Sequence, residues 1–218
     1  MKRIIQLFIC VFLFLIPLNQ IKSQSNWKLK GTKNGITVYT MGDENTRLNI
    51  IRATFEVEAT LSQYASIVLN VEDYKSWNYA AKNPYIIKKI SETELIYYAE
   101  AEAPWPVTDR YVVLHLKVEQ DSQSKILEIT LNNVPDQIPK KEGFVRIPVY
   151  SSVLKVIPVS KNKVKVELIL KVDPGGSIPV WLTNLVSTKI PITTFSNFKK
   201  RVKSQGEHRT SVSEISNK

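Results

Sequence analysis

The stretch Pro174-Gly175-Gly176-Ser177-Ile178-Pro179-Val180-Trp181-Leu182 decides the fold, because the chain changes its periodicity there. Lys163 to Asp173, just before it, reads as a strand. Pro174 and the two glycines break that strand, and Pro179 suits a first helical position, where a missing N–H costs nothing. Beyond it Val180, Trp181, Leu182, Leu185, Val186, Ile190, Ile192, Phe195, Phe198 and Val202 recur at helical spacing. They predict one long amphipathic helix reaching Lys203, kinked at Pro191, where the ring removes an internal hydrogen bond.

Working back toward the N-terminus, strand patterns dominate. Strands are expected at Pro84–Ile90, Leu95–Ala103, Arg110–Gln120, Ile126–Asn132, Phe144–Pro158 and Lys163–Asp173, separated by turn signals. Earlier, Leu48–Glu58 alternates Ile51, Ala53, Phe55 and Val57 against Arg52, Thr54, Glu56 and Glu58, the signature of a sheet with one wet face. Ile36–Met41 follows the Asn34-Gly35 turn as another strand, and Trp27–Lys33 reads as a short helix or lead-in. Between the early and late strands, Thr60 with Gln63 forms a capping-box pattern ahead of a helix, and Val71–Trp77 continues helically. The predicted class is therefore α+β. A curved antiparallel sheet wraps the long C-terminal helix, and two short helices are inserted after the second strand. A long antiparallel sheet must curl to bury one face, and a helix laid in the hollow often leaves room for a small ligand.

The chain has 218 residues, 43% hydrophobic and 23% charged, which suits one globular domain. Lys2 and Arg3 precede the almost wholly apolar run Ile4–Leu18, and a short polar stretch follows to Ser23. This order predicts a signal peptide over residues 1–23, a folded domain over 24–205 and a frayed polar tail over 206–218. The mature protein is expected in the periplasm or outside the cell. The single cysteine, Cys10, lies too early in the apolar run and follows the large Ile9, so no lipid anchor is predicted and the mature chain holds no disulfide. Removing Lys2, Arg3 and Lys22 from the formal net charge of +10 leaves +7. The basic residues are dispersed, apart from Lys199, Lys200, Arg201 and Lys203, a cluster that reads first as a solvated face and second as a transient contact with an anionic membrane, with no nucleic acid expected.

Two segments carry a family resemblance. Ala103-Pro104-Trp105-Pro106-Val107-Thr108-Asp109-Arg110 resembles the Pro-aromatic-Pro-x-x-x-Arg corner of the START (steroidogenic-acute-regulatory-related lipid transfer) domain, a helix-grip fold. Pro174–Leu182 resembles that family's Gly-rich lead into the last helix. The family pattern often has Asp after the arginine, where this chain has Tyr111. The resemblance implies a hydrophobic tunnel for a lipid or sterol-like molecule and no cofactor. It also implies a gate, which would fall at Asn133–Gly143 and the start of the last helix.

Arg110 alternates with Val112, Leu114, Leu116 and Val118, so it shares the face of an apolar row. A buried arginine needs partners, and Glu100 and Glu102 on the preceding strand are the candidates. Arg110 reads either as a polar anchor for a ligand or as half of a structural ion pair. Trp105 either lines the cavity or locks the proline corner. Trp77 and Tyr79 are placed to cover a cavity mouth, and Trp181, Leu185 and Ile192 to form core or cavity wall. His115, on the face opposite Arg110, is expected in solvent, and His208 lies in the tail. No histidine or cysteine spacing suits a metal, and no histidine is placed as a base.

Three functions follow. The first is binding or carriage of a hydrophobic ligand by a monomer that uses no metal or cofactor. The second is a superfamily enzyme, a cyclase or hydrolase of a bound polyketide or aromatic compound, using Arg110, Glu100, Glu102 or Tyr98. The third is a ligand-free cell-envelope interaction protein.

Overall fold

A computed structural model describes residues 26–42, 49–176, 179, 182, 184–205 and 212–217. The predicted leader and Trp181 lie outside the described residues. The strands are β1 (Lys28–Lys33), β2 (Ile36–Gly42), β3 (Asn49–Val57), β4 (Ala81–Lys89), β5 (Glu94–Ala101), β6 (Arg110–Gln120), β7 (Leu127–Asn133), β8 (Val145–Arg146), β9 (Val149–Ser160) and β10 (Lys163–Asp173). They form one ten-stranded sheet in the order β1-β2-β3-β10-β9-β7-β6-β5-β4. Pairing along that path is antiparallel, and β8 lies parallel to β6 at its start.

Period-two alternation sets the inner face. Ile36 and Val38 of β2, Ile51, Ala53, Phe55 and Val57 of β3, and Val164, Val166 and Leu168 of β10 are buried in one core. Helix α1 (Leu61–Leu69) starts where β3 ends. The Thr60 hydroxyl caps it, accepting from the Gln63 amide at 3.1 Å. The Gln63 side chain also donates to the Val202 carbonyl at 3.3 Å and so ties α1 to the last helix. A 3-10 turn, Val71–Asp73, leads into the one-turn helix α2 (Tyr74–Trp77).

The last helix, α3 (Ile190–Gln205), follows a single π-type turn, Leu185–Lys189. Pro191 cannot donate to the carbonyl four residues back, and the wider turn just ahead of it absorbs that mismatch. The predicted irregularity therefore lies on the N-terminal side of the proline. α3 spans the gap between the sheet's two edges. Ile192 and Thr188 lie against Gly31 of β1, Ser196 bonds Asn34, and Thr194 accepts from the Tyr79 amide just before β4. Aromatic rings fill the C-terminal half of this contact: Phe55 on Phe195 at 4.5 Å, Tyr64 on Phe198 at 4.7 Å, and Trp77 on Phe198 at 5.1 Å between centroids.

Three expectations change. Trp27–Lys33 holds no helix; β1 pairs with β2 through Asn34-Gly35, whose positive φ angles of 56° and 72° suit a two-residue hairpin. This edge strand is exposed along nearly its whole length, Leu29 included, so it shows no alternation. The strand expected over Phe144–Pro158 is split at Ile147-Pro148. Val145 and Ile147 donate to the Asp109 and Tyr111 carbonyls, which diverts β8 onto β6. The tail does not fray over 212–217: Ile215 joins the core, the Val212 amide bonds the Ser62 hydroxyl at 2.9 Å, and Gln120 and Ser216 bond each other.

Candidate ligand-binding site

The inner face is filled unevenly from one end to the other. Where the C-terminal half of α3 packs, Val156, Val164 and Val166 are fully buried. Toward the other end of the same strands, Tyr150 of β9, which faces Val172 of β10, is only partly buried, as are Leu170 and Val172. Val186, in the π-type turn, is likewise partly buried against this core. These side chains point inward yet keep accessible surface, so among the described residues this end of the grip is less completely covered than the other.

Polar groups collect in that apolar wall. Tyr97 of β5 faces inward opposite Leu114, and its ring meets Tyr74 edge-on at 5.5 Å. Burial pushes the Tyr97 hydroxyl well above its ordinary pKa, and the neighbouring Tyr74 and Tyr150 add to this. Burial likewise raises Tyr74 and Tyr150. All three phenols are therefore neutral near pH 7 and able to donate a hydrogen bond. The Tyr74 hydroxyl donates to the Val68 carbonyl at 2.5 Å. Ser152, buried on β9, lies beside the Tyr150 hydroxyl. The buried Asn133 Oδ1 finds no hydrogen-bond partner among the described residues, although the Asn133 amide nitrogen donates to the Ile147 and Pro148 carbonyls.

Arg110 stands at the open end. It is 5% exposed and on the inner face with Val112, Leu114, Leu116 and Val118, as the alternation predicts. Its guanidinium donates to the Thr108 carbonyl and, at 3.3 Å, to the Gly175 carbonyl. Its buried Nε has no partner among the described residues. Burial lowers its pKa, and the nearby Asp109 partly offsets this. Backbone carbonyls thus solvate most of a buried cation, and no carboxylate pairs with it directly among the described residues.

The expected pairing of Arg110 with Glu100 or Glu102 does not form, and the reason is parity. Ala101 stands directly across from Arg110, so Glu100, opposite Tyr111, points to the outer face. There Glu100 accepts from Tyr98 at 2.8 Å and from Asn83 at 2.7 Å, and pairs with Lys141. Burial opposes the charged form of Glu100, but these three hydrogen bonds outweigh it and hold the pKa below the usual value. The Tyr98 hydroxyl is pushed up to about 12 by burial and by its bond to Glu100. Glu102 is exposed and bridges to Lys82 at 2.5 Å.

Tyr98 belongs to a second apolar cluster on the outer face with Ile96, Tyr111 and Val113, covered by Val134, Ile138 and Phe144. That cover is the segment expected to act as a gate. It is pinned down: the Lys141 amide and the Arg146 side chain both donate to the Tyr111 hydroxyl, at 3.1 and 2.7 Å. His115 is half-buried, 2.6 Å from Glu94, rather than free in solvent.

Of the tryptophans, Trp77 is 7% exposed and wedges α2 against α3. Trp105 is 90% exposed and packs neither in a cavity nor in the corner. Leu185 is partly buried at the start of the π-type turn, and Ile192 packs against β1. In the basic cluster Arg201 is held by Asp73 at 2.5 Å and Lys199 by the Asn34 carbonyl at 3.0 Å. Sequence reasoning passed over Tyr97, Tyr150, Ser152 and Asn133. The parity of Tyr97 with Leu95 and Ala99 was the available signal for the first.

Comparison with known proteins agrees with this architecture. An uncharacterized protein of Pseudomonas aeruginosa is 26% identical over 174 residues, 80% of this chain and 85% of that one. Rat phosphatidylcholine transfer protein is 27% identical over 164 residues, 73% of this chain and 76% of the relative. The crystal structure of a STAR-related lipid transfer protein from Xanthomonas axonopodis superposes with a TM-score of 0.74 at 26% identity, covering 82% of this chain and 99% of that one. The START domain family model matches residues 18–208, nearly the whole chain, and the chain belongs to that family.

Proposed function

We propose that this protein binds a single hydrophobic molecule, a lipid, inside the grip and carries it outside the cytoplasm as a monomer. The observation that carries this reading is the partly covered inner face near Arg110, where inward-facing Tyr150, Leu170 and Val172 keep accessible surface. Acyl chains or rings placed there gain about 25 cal/mol per Å² of apolar surface removed from water. The neutral Tyr150 hydroxyl and Ser152 offer hydrogen bonds to an ester or hydroxyl group, and Arg110 offers positive charge at the open end. The similarity to phosphatidylcholine transfer protein supports a phospholipid as the first ligand to try. The apolar leader over Ile4–Leu18 supports export.

Transfer of a fluorescent phosphatidylcholine between donor and acceptor vesicles tests the proposal. Transfer should rise in proportion to protein concentration. A rate equal to the protein-free control, for phosphatidylcholine and for other phospholipids, would contradict it.

A further inference from the structure

Ser152 and Asn133 each hold a buried polar atom that the fold leaves without a partner among the described residues. Ser152 is 2% exposed and stands across from Leu131 of β7 and Leu170 of β10, so its hydroxyl lies on the inner face. Asn133 stands across from Leu114 of β6 and faces the same way. Its amide nitrogen donates to the Ile147 and Pro148 carbonyls at 3.0 and 3.1 Å, which fixes the two ends of the side-chain amide. The other end, Oδ1, is the buried acceptor. Because Leu131 pairs with Ser152, Asn133 is the diagonal neighbour of Ser152. Tyr150 and Leu170, which keep accessible surface, adjoin the two.

We infer that Ser152 and Asn133 select a lipid whose chain is joined to its head through an amide rather than through esters alone. This rests on the lipid-carrier reading above. A buried acceptor left unpaired costs its whole lost hydration. An ester has carbonyl oxygens but no N–H, so it can accept from Ser152 and leaves Asn133 Oδ1 unpaired. An amide meets both: its carbonyl accepts from the Ser152 hydroxyl and its N–H donates to Asn133 Oδ1. The carbonyl and N–H of a trans amide point in opposite directions, which suits a donor and an acceptor set roughly 7–8 Å apart as diagonal neighbours on two strands. A diester such as phosphatidylcholine is then a second-best ligand.

The test loads the protein from cyclodextrin with an equimolar mixture of phosphatidylcholine and its analogue with an amide in place of the sn-2 ester, one of them deuterated. Native mass spectrometry reads the bound ratio. Both lipids carry the same phosphocholine head, so Arg110 acts on them alike. The wild type should hold the amide analogue in about tenfold excess, the order that one unpaired buried acceptor costs. Asn133→Leu should abolish the preference. Ser152→Ala should lower loading of both lipids and keep the preference, because both offer a carbonyl. Each ratio is read within one protein, so a loss of stability in a variant does not move it. Equal loading of the two lipids by the wild type would overturn the proposal, with water meeting the Asn133 oxygen instead. A preference that survives in Asn133→Leu would overturn it too. Loading of neither lipid would overturn the carrier reading and this inference with it, whereas equal loading overturns the inference alone.

Discussion

Arg110 donates a hydrogen bond to the Gly175 carbonyl at 3.3 Å, joining the first residue of β6 to the segment that leads into α3. The same guanidinium holds the Thr108 carbonyl, so one buried cation ties the proline corner to the break after β10. The two sequence motifs that pointed to the fold therefore meet in space.

Replacing Arg110 by Met should leave a folded protein that no longer takes up lipid. Arg110→Lys should fall between, because an ammonium is a point charge that cannot reproduce the planar fork across two carbonyls. Far-UV circular dichroism and lipid loading, measured side by side, check this. Loading of Arg110→Met at the wild-type level would remove Arg110 from the site.

Gly175→Ala should destabilise the junction by about 1–3 kcal/mol. The residue has φ of 72°, and a Cβ would lie 2.9 Å from Pro148 and 3.1 Å from Val145. Thermal melting measures the loss, and faster amide exchange should be confined first to the residues around 174–176.

Phe198→Ala should cost about 3–5 kcal/mol, the range for deleting a buried aromatic. The ring is fully buried between Tyr64 and Trp77, so neither neighbour can close the void without breaking its other contacts. Urea denaturation gives the figure.

Truncation after Gln205 should cost about 1.5–3 kcal/mol, the burial of one Ile side chain. It removes Ile215 from the core and leaves the Ser62 hydroxyl and the Gln120 side-chain oxygen without their tail partners. An unchanged melting temperature would show that the tail contributes nothing.

The Glu100–Lys141 pair should weaken in acid. Glu100 has a depressed pKa in the folded state, so its stabilisation is complete above the ordinary carboxylate value of about 4.3 and is lost as pH falls through the lower folded value. Between pH 5 and 3, approximate bounds on that window, the wild type should lose more stability than Glu100→Gln, which has no carboxylate to titrate. Melting temperatures across this range decide the matter.

The strands and the long helix were legible because each buries one face, and burial imposes a period. Arg110 was placed on the inner face by that rule alone. Its partners were not legible, because the eight residues between Ala101 and Arg110 leave the β5–β6 register open, and one residue of register moves Glu100 from one face to the other. The exposed edge strand β1 and the docked Ile215 were hidden for a related reason: neither sits in an apolar repeat. Trp105 misled because a tryptophan in a sequence reads as buried, whereas in the folded chain it is 90% exposed.

Native mass spectrometry of the protein purified from its own host tests the central claim most directly. The account predicts a folded chain carrying one lipid, released on denaturation and identified by its fragments, with Arg110→Met emerging empty. A wild-type chain that is folded, monomeric and free of any bound molecule, and that stays so after incubation with lipid, would contradict it.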